Sequence, residues 1–313
     1  MEQGILVMVT LYLTAAVKMA TPLVFAALGE TISEKAGLLN ISVEGNMLAG
    51  AFAGFLTVFF TGNLPLGFLM GILGGMTISL IHAVMSIHSR ADQTIVGLAL
   101  NFFTLGLTSF LFYMVFGQSA ELPACDTISK MPIPFLSRLP LIGPGLFGQD
   151  LLVYIAMVCV VLVALVFYRT EWGVILHAVG EHPKAADTAG LSVYKTRYLA
   201  GLLNGAFGGL GGAYMTLGSF GFFIENITAG RGYIALAVVV LGKRNPVWVF
   251  LSALVIGMAE ALQYSMQTLG VPVPSQVFTM FPYVVAVLVL LASIGKTGSV
   301  PSALGLPYER NTR

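Results

Sequence analysis

The chain has 313 residues, of which 57% are hydrophobic and only 9% are charged. Soluble domains carry roughly 25% charged residues, so a soluble fold of this length could not hide so much apolar surface. The formal net charge of +1, without a Lys/Arg-rich tail, gives no indication of nucleic-acid binding. The composition therefore predicts an all-α, polytopic membrane protein in which residues 1–313 form a single transmembrane domain.

Long apolar runs recur along the whole chain. A membrane-spanning helix needs about 20 apolar residues to cross roughly 30 Å of hydrocarbon, and about nine runs (eight to ten) are candidates. They are Ile5–Leu28, Leu38–Phe60, Leu64–Ile87, Ile95–Gly117, Leu151–Tyr168, Tyr198–Leu217, Ile234–Leu241, Val247–Leu269 and Val277–Ile294. The first run lacks the basic start of a signal peptide and is too long for one, so it is predicted to remain as a span.

The distribution of Lys and Arg predicts the orientation, because cytoplasmic loops carry an excess of both. We place the N-terminus outside and the C-terminus inside the plasma membrane. Nine crossings then bring most of the cations inside: Lys35, Arg90, Arg169, Lys184, Lys195, Arg197, Lys243, Arg244, Lys296, Arg310 and Arg313. The outer side receives Lys130, Arg138 and Arg231, while Lys18 lies within a span. The Pro-rich loop Gln118–Asp150 is then external, as a cover, a partner-binding loop or an irregular connector.

The internal loop Arg169–Arg197 contains a short predicted helix. Pro183 suits a first helical position because its missing N–H has no partner there. Ala185 and Ala186 favour a helix, and Gly190 can adopt the left-handed conformation that ends one. So short a helix is unstable alone in water. It is either an ordinary loop helix or one that inserts into a groove of a cytoplasmic protein.

Three stretches, Gly29–Gly45, Gly180–Gly190 and Gly230–Lys243, carry a family resemblance. In order and spacing they resemble permease subunits of ABC importers for branched-chain amino acids, ribose and nucleosides, over nearly the whole chain. Arg90–Thr94 resembles the nucleoside branch more narrowly, which works with a lipoprotein receptor of the basic-membrane-protein type. The resemblance implies a type II importer-like fold that moves a small polar solute. Nucleosides are the expected solute, and a ribose-type sugar or a branched-chain amino acid is the alternative.

The same resemblance implies the partners of the chain. A separate ABC ATPase subunit would bind ATP and magnesium, a lipoprotein would deliver the solute, and a second permease would complete a heterodimer, with a homodimer as the alternative. The segment that couples ATP hydrolysis to transport would dock in a cleft of the ATPase. Its residues here are Gly180, Glu181, His182, Pro183, Lys184, Ala185, Ala186, Asp187 and Gly190.

Polar side chains in the apolar runs are the candidates for the translocation pathway, because such groups are costly in a membrane. The first four and last four spans run antiparallel, as an inverted repeat with halves of about 5–117 and 198–294 requires. The second span of each group begins with an interrupted stretch, at Gly37 and Gly230. The candidates are Asn40, Glu44, Asn101, Asn204, Tyr233 and Glu260. Hydrogen bonding between helices, worth roughly 0.6–2 kcal/mol each, is the alternative role.

No site for enzymatic chemistry is recognisable in the sequence. Gly295–Thr297 resembles the end of a phosphate-binding loop, but position 290, where its first glycine belongs, is Leu. The chain is therefore expected to bind no cofactor or metal and to leave ATP hydrolysis to its partner. Two rival classes are an ion-coupled transporter, with Glu44 and Glu260 as proton carriers, and an intramembrane enzyme, which would need a catalytic set that is not visible.

Overall fold

The computed structural model describes residues 2–117, 122–134, 137, 142–268, 274–293 and 300–310. Within these ranges the chain is helical and has no β-strand, which confirms the predicted all-α class. A π-helical turn, Val84–His88, continues α3, and another, Met215–Phe220, continues α9. The helices are α1 (Glu2–Lys35), α2 (Val43–Thr61), α3 (Leu64–Ala83), α4 (Gln93–Phe116), α5 (Ile142–Phe147), α6 (Leu151–Arg169), α7 (Glu171–Glu181), α8 (Pro183–Thr188), α9 (Val193–Tyr214), α10 (Arg231–Leu241), α11 (Pro246–Thr268) and α12 (Ser275–Ser293).

Each predicted apolar run overlaps one of these helices, but the second run was predicted to begin at Leu38, whereas α2 begins at Val43. The predicted ends at Leu269 and Ile294 fall outside the described residues. Among the described residues, six helices are long and apolar enough to cross a membrane: α1, α2, α3, α4, α6 and α11. Helix α10 is shorter, as is the described apolar part of α12, Gln276–Leu288, and glycines with two terminal cations make α9 less apolar. The protein is therefore multi-pass, and the number of nine crossings stays a prediction.

Helix α1 continues past Leu28, where the apolar run was expected to end, as far as Lys35. The added turns carry buried polar side chains that all have partners in the protein. Ser33 Oγ donates to the Leu38 carbonyl at 2.8 Å, and the Glu34 carboxylate pairs with Arg244. The predicted end was wrong because these partners, more than hydrophobicity, stabilise the last turns of the helix.

Helix α9 lies at the centre of the bundle, and its glycines allow α1, α2 and α3 to approach it closely. A methyl group built on Gly205 would lie 2.6 Å from the carbonyl oxygen of Gly75 in α3. One built on Gly211 would lie 2.8 Å from the Pro22 carbonyl oxygen in α1, and Gly212 adjoins the Met47 carbonyl in α2. The glycine run therefore serves close packing within the subunit.

The internal loop is more ordered than its sequence indicated, because α7 precedes α8. Thr170 caps α7 by accepting a hydrogen bond from the Gly173 amide at 3.3 Å. Leu176 and Val179 bury one face of α7 against the bundle. This burial fixes the point at which α8 begins.

Candidate functional site

Helix α8 has the two ends that its sequence predicted. Pro183 is its first residue, and Gly190 lies beyond its end with φ of 89°. The Gly190 amide donates to the Asp187 carbonyl and the Leu191 amide donates to the Ala186 carbonyl, each at 3.0 Å. These two bonds form a Schellman motif, which needs a left-handed residue and therefore favours glycine.

The exposed and buried sides of α8 divide the predicted coupling residues. His182, Lys184 and Ala185 are exposed. Ala186 is buried and contacts Val179 of α7 and other apolar side chains of this chain. The methyl group of Ala186 faces inward, and Ala185 occupies the outer side of α8.

The segment 180–187 is held by the C-terminal segment, residues 300–310, which the sequence analysis missed. The Ala303 amide donates to the Gly180 carbonyl at 2.9 Å. The Ser302 hydroxyl and amide donate to Glu181 Oε2 at 2.9 and 3.1 Å. Burial raises the pKa of the Glu181 carboxyl, but these two bonds outweigh it and hold that pKa below its usual range. Glu181 is therefore charged and bound to its own chain.

Two of the pathway candidates, Asn40 and Asn204, belong to a fully buried hydrogen-bond network. Asn40 Nδ2 donates to Asn204 Oδ1 at 3.3 Å and to Ser79 Oγ at 3.1 Å. The backbone N–H of Asn40 also donates to Glu30 Oε1 at 3.0 Å, and the side-chain Nδ2 of Asn204 donates to Glu30 Oε2. The network holds the non-helical residues between α1 and α2 against α1, α3 and α9.

Glu44, in the first turn of α2, binds the beginning of α10. Its Oε1 accepts hydrogen bonds from Thr228 Oγ1 at 2.5 Å and from the Gly230 amide at 2.8 Å. Its Oε2 accepts one from the Gly232 amide at 2.6 Å. A carboxylate at a helix N-terminus satisfies free N–H groups and interacts favourably with the helix dipole. The two interrupted stretches predicted from the sequence thus meet at one buried charge.

Asn101 of α4 joins the same region from the other side. Its Oδ1 accepts from the Gly45 amide at 2.8 Å, and its Nδ2 donates to the Ile41 carbonyl at 2.9 Å and to the Tyr233 hydroxyl at 3.0 Å. Tyr233 is 40% exposed, whereas the other five pathway candidates are buried. Tyr233 is therefore the pathway candidate whose side chain is not enclosed by this chain.

Glu260 of α11 forms a buried ion pair with Arg231, the first residue of α10, with 3.3 Å between Oε2 and Nη2. From the sequence, Arg231 was expected among the outer cations, and no carboxylate partner was predicted for it. Breaking such a pair strands a buried charge, so the pair fixes α10 against α11.

Several residues of this polar centre were not singled out from the sequence, namely Glu30, Glu34, Asn46, Ser79, Thr228 and Arg244. The partners of Asn204 lie more than a hundred residues away in the chain, so no local pattern reports them. A signal did exist for Glu30 and Glu34. They are one helical turn apart within the stretch that carries the family resemblance, and their i, i+4 spacing places both on one face of α1.

Comparison with known proteins agrees with this architecture. The family model for the permease component of branched-chain amino acid transport systems matches residues 12–292. The chain is 36% identical to the putative glucose ABC transporter permease protein TsgC13 of Haloferax volcanii, over 95% of this chain and 97% of that protein. No solved structure matches the chain.

Two further relatives are named for nucleosides. The guanosine ABC transporter permease protein NupQ of Bacillus subtilis is 35% identical over 94% of this chain and 95% of its own length. The nucleoside ABC transporter permease protein NupC of Lactococcus lactis is 36% identical over 92% of this chain and 93% of its own length. The chain therefore belongs to the family of branched-chain amino acid transport system permease components, and it is the permease component of an ABC transporter.

Proposed function

We propose that this permease imports nucleosides across the plasma membrane. The observation that carries the proposal is the similarity, at 35–36% identity over nearly the full length, to relatives named as guanosine and nucleoside permeases. The resemblance of Arg90–Thr94 to the nucleoside branch supports it. The exposed ring of Tyr233 beside Asn101 also suits a flat base, because aromatic rings stack.

A sugar is the second candidate solute, since the glucose-named relative is as similar as the nucleoside-named ones. Competition for uptake distinguishes the two. Cells that carry the complete importer are given labelled guanosine with an excess of unlabelled adenosine, cytidine or glucose. Uptake that nucleosides suppress and glucose does not supports the proposal. Suppression by glucose alone overturns it in favour of the sugar.

The energy for transport comes from a separate ATPase subunit that binds ATP and magnesium and docks on α8. The exposed side of α8, with His182, Lys184 and Ala185, supports this role. Its test is Ala185→Trp, which adds bulk on the outer side, with Leu122→Trp on the exposed external loop as a control. We expect Ala185→Trp to lower ATPase retention and uptake by at least about tenfold, as disruption of a packed contact does. Wild-type behaviour of that variant contradicts docking on α8.

In this proposal the docking surface lies in the cytoplasm and the N-terminus lies outside. Its support is the clustering of the predicted inner cations: Arg90 pairs with Glu309, and Arg310 with Asp187. A cysteine at position 182, in a chain whose own cysteines are replaced, should react with an impermeant maleimide only after the membrane is opened. Reaction in intact cells refutes the orientation.

The assembly contains two permeases in a heterodimer, two ATPase subunits and an extracellular lipoprotein that delivers the solute. The meeting of the two interrupted stretches at Glu44 supports the inverted-repeat arrangement of halves 5–117 and 198–294. Two differently tagged copies of this chain test the dimer. Co-purification of both tags indicates a homodimer and contradicts the heterodimer.

Transport by an ion gradient is the rival mechanism, with Glu44 and Glu260 as proton carriers. Both carboxylates are engaged within the protein, Glu44 by three donors and Glu260 by Arg231, which supports a structural role for each. Uptake that stops after ATP depletion but survives an ionophore supports the ABC mechanism. The reverse pattern overturns it.

A further inference from the structure

We propose that the C-terminal segment 300–310 forms, together with α8, a cavity that receives an acidic side chain of the ATPase subunit. The inference rests on the proposed docking of that subunit on α8. It extends the docking surface from one short helix to two segments that are more than a hundred residues apart in the chain.

The C-terminal segment is bound to the coupling segment at both of its ends. Ala303 and Ser302 hold its start at Gly180 and Glu181. At the other end, Arg310 Nε lies 3.1 Å from Asp187 Oδ2. A partner that approaches α8 therefore also meets the C-terminal segment.

The segment is also anchored by burial, so it forms a fixed wall. Tyr308 is buried and packs on Tyr194, with 5.6 Å between the ring centroids. The same ring contacts an apolar cluster that includes Ala186, the inward-facing residue of α8. Glu309 adds an ion pair with Arg90 from the loop before α4. The C-terminal segment and α8 therefore share one apolar cluster.

A cavity of about 420 Å³ lies between the two segments, with Arg197 in its wall. Arg197 is only 2% exposed, and its three hydrogen bonds go to carbonyl oxygens. Nη1 donates to Leu306 at 3.0 Å, Nε to Ala36 at 3.2 Å and Nη2 to Ala303 at 3.4 Å. Among the residues that the structure describes, no carboxylate forms an ion pair with Arg197. A buried guanidinium without a counter-charge favours an anionic group beside it.

The other charges of the cavity point to the same occupant. Lys184 lines it together with Arg197, and its acidic residue, Glu181, already accepts two hydrogen bonds from Ser302. The lining is therefore positive on balance, which complements an acidic partner. The cavity is bordered by Ala185 on the exposed side of α8, where the ATPase subunit docks, so a side chain of that subunit is placed to enter it.

Leu306 offers a test that leaves the fold intact, because it lines the cavity and is 56% exposed. Leu306→Glu puts a negative charge where the partner carboxylate should lie, and Leu306→Lys is the matched control of opposite sign. We measure the affinity of the purified ATPase subunit for each full-length variant in nanodiscs. Like charges at an interface cost several kcal/mol, so Leu306→Glu should weaken binding by at least about tenfold, while Leu306→Lys should bind within about twofold of wild type or more tightly.

Equal weakening by both variants would show an apolar contact without an acidic partner, and unchanged binding of both would show no contact; either result overturns the inference. Pro307 is also exposed and lines the cavity. If a Leu306 variant unfolds, the affinity of the ATPase subunit is measured for Pro307→Glu and Pro307→Lys instead. Ala185→Trp separates the inference from the proposed function. Loss of binding in Ala185→Trp with unchanged Leu306 variants refutes the cavity alone, whereas unchanged binding of Ala185→Trp refutes docking on α8 itself.

Discussion

The buried carboxylate of Glu44 gives the sharpest test of the polar centre. Both of its oxygens accept hydrogen bonds, from Thr228, Gly230 and Gly232, and together they hold α10 to α2. Glu44→Gln keeps the shape of the side chain but replaces one accepting oxygen by an NH2 group. At least one buried donor of the α10 N-terminus then faces another donor and loses its bond.

The magnitude follows from the two interactions that are lost. A hydrogen bond to a charged group is worth about 1.5–3 kcal/mol. A negative charge at a partly buried helix N-terminus adds up to about 2 kcal/mol. Since the two contributions overlap, we expect Glu44→Gln to lower the free energy of unfolding by about 2–4 kcal/mol.

Glu225→Gln is the matched control, because Glu225 is exposed and accepts from Ser109 Oγ at 2.8 Å and from the Tyr113 hydroxyl. We expect it to change the free energy of unfolding by less than about 1 kcal/mol. Unfolding of the purified chain in mixed micelles, followed by tryptophan fluorescence, measures both variants. Equal effects of the two substitutions would refute the assignment of Glu44 as the buried anchor of α10.

Three further predictions concern packing, charge and exposure. Gly205→Ala should destabilise the chain by about 1–3 kcal/mol, as overpacking does, whereas Gly106→Ala, with open space around it, should leave unfolding unchanged or raise its free energy. Glu260→Gln should cost about 3–5 kcal/mol because it strands the Arg231 charge, and an apolar replacement of both residues should recover most of the loss. Burial raises the pKa of the Cys125 thiol to about 11, so its maleimide labelling rate should stay low at pH 8 and rise through pH 11, as the thiolate forms.

Each of these has an outcome that contradicts it. Equal stability of the Gly205 and Gly106 variants would refute the close approach of α3 and α9. If the variant with apolar residues at both 231 and 260 is as unstable as Glu260→Gln, then the attraction within the ion pair, and not the stranded Arg231 charge, accounts for the lost stability. A labelling midpoint near pH 9 would show that Cys125 is open to water.

The sequence was sufficient for features that depend on local chemistry. Apolar runs located the helices, since each must present apolar side chains to lipid or to its neighbours. The ends of α8 were predicted because Pro183 and Gly190 act on their own backbone. The glycines of α9 permit close packing because the absence of a Cβ is a property of the residue itself.

The sequence did not predict which polar groups would be hydrogen-bond partners across the bundle. Asn204 and Glu30 are polar residues in unremarkable local settings, and their common network becomes visible only when α1 and α9 are side by side. The inward orientation of Ala186 likewise depends on Tyr308, which is distant in the chain.

The sequence by itself determined that this protein is a membrane-embedded helical bundle with a short helix between Pro183 and Gly190, because hydrophobicity and backbone preference act within a few residues of one another. The tertiary structure decided which buried charges meet, how the C-terminal segment binds residues 180–187 and that Arg197 has no carboxylate partner among the described residues. Hydrogen bonds and ion pairs act over about 3 Å in space, whatever the distance along the chain, and local sequence pattern carries no record of that proximity.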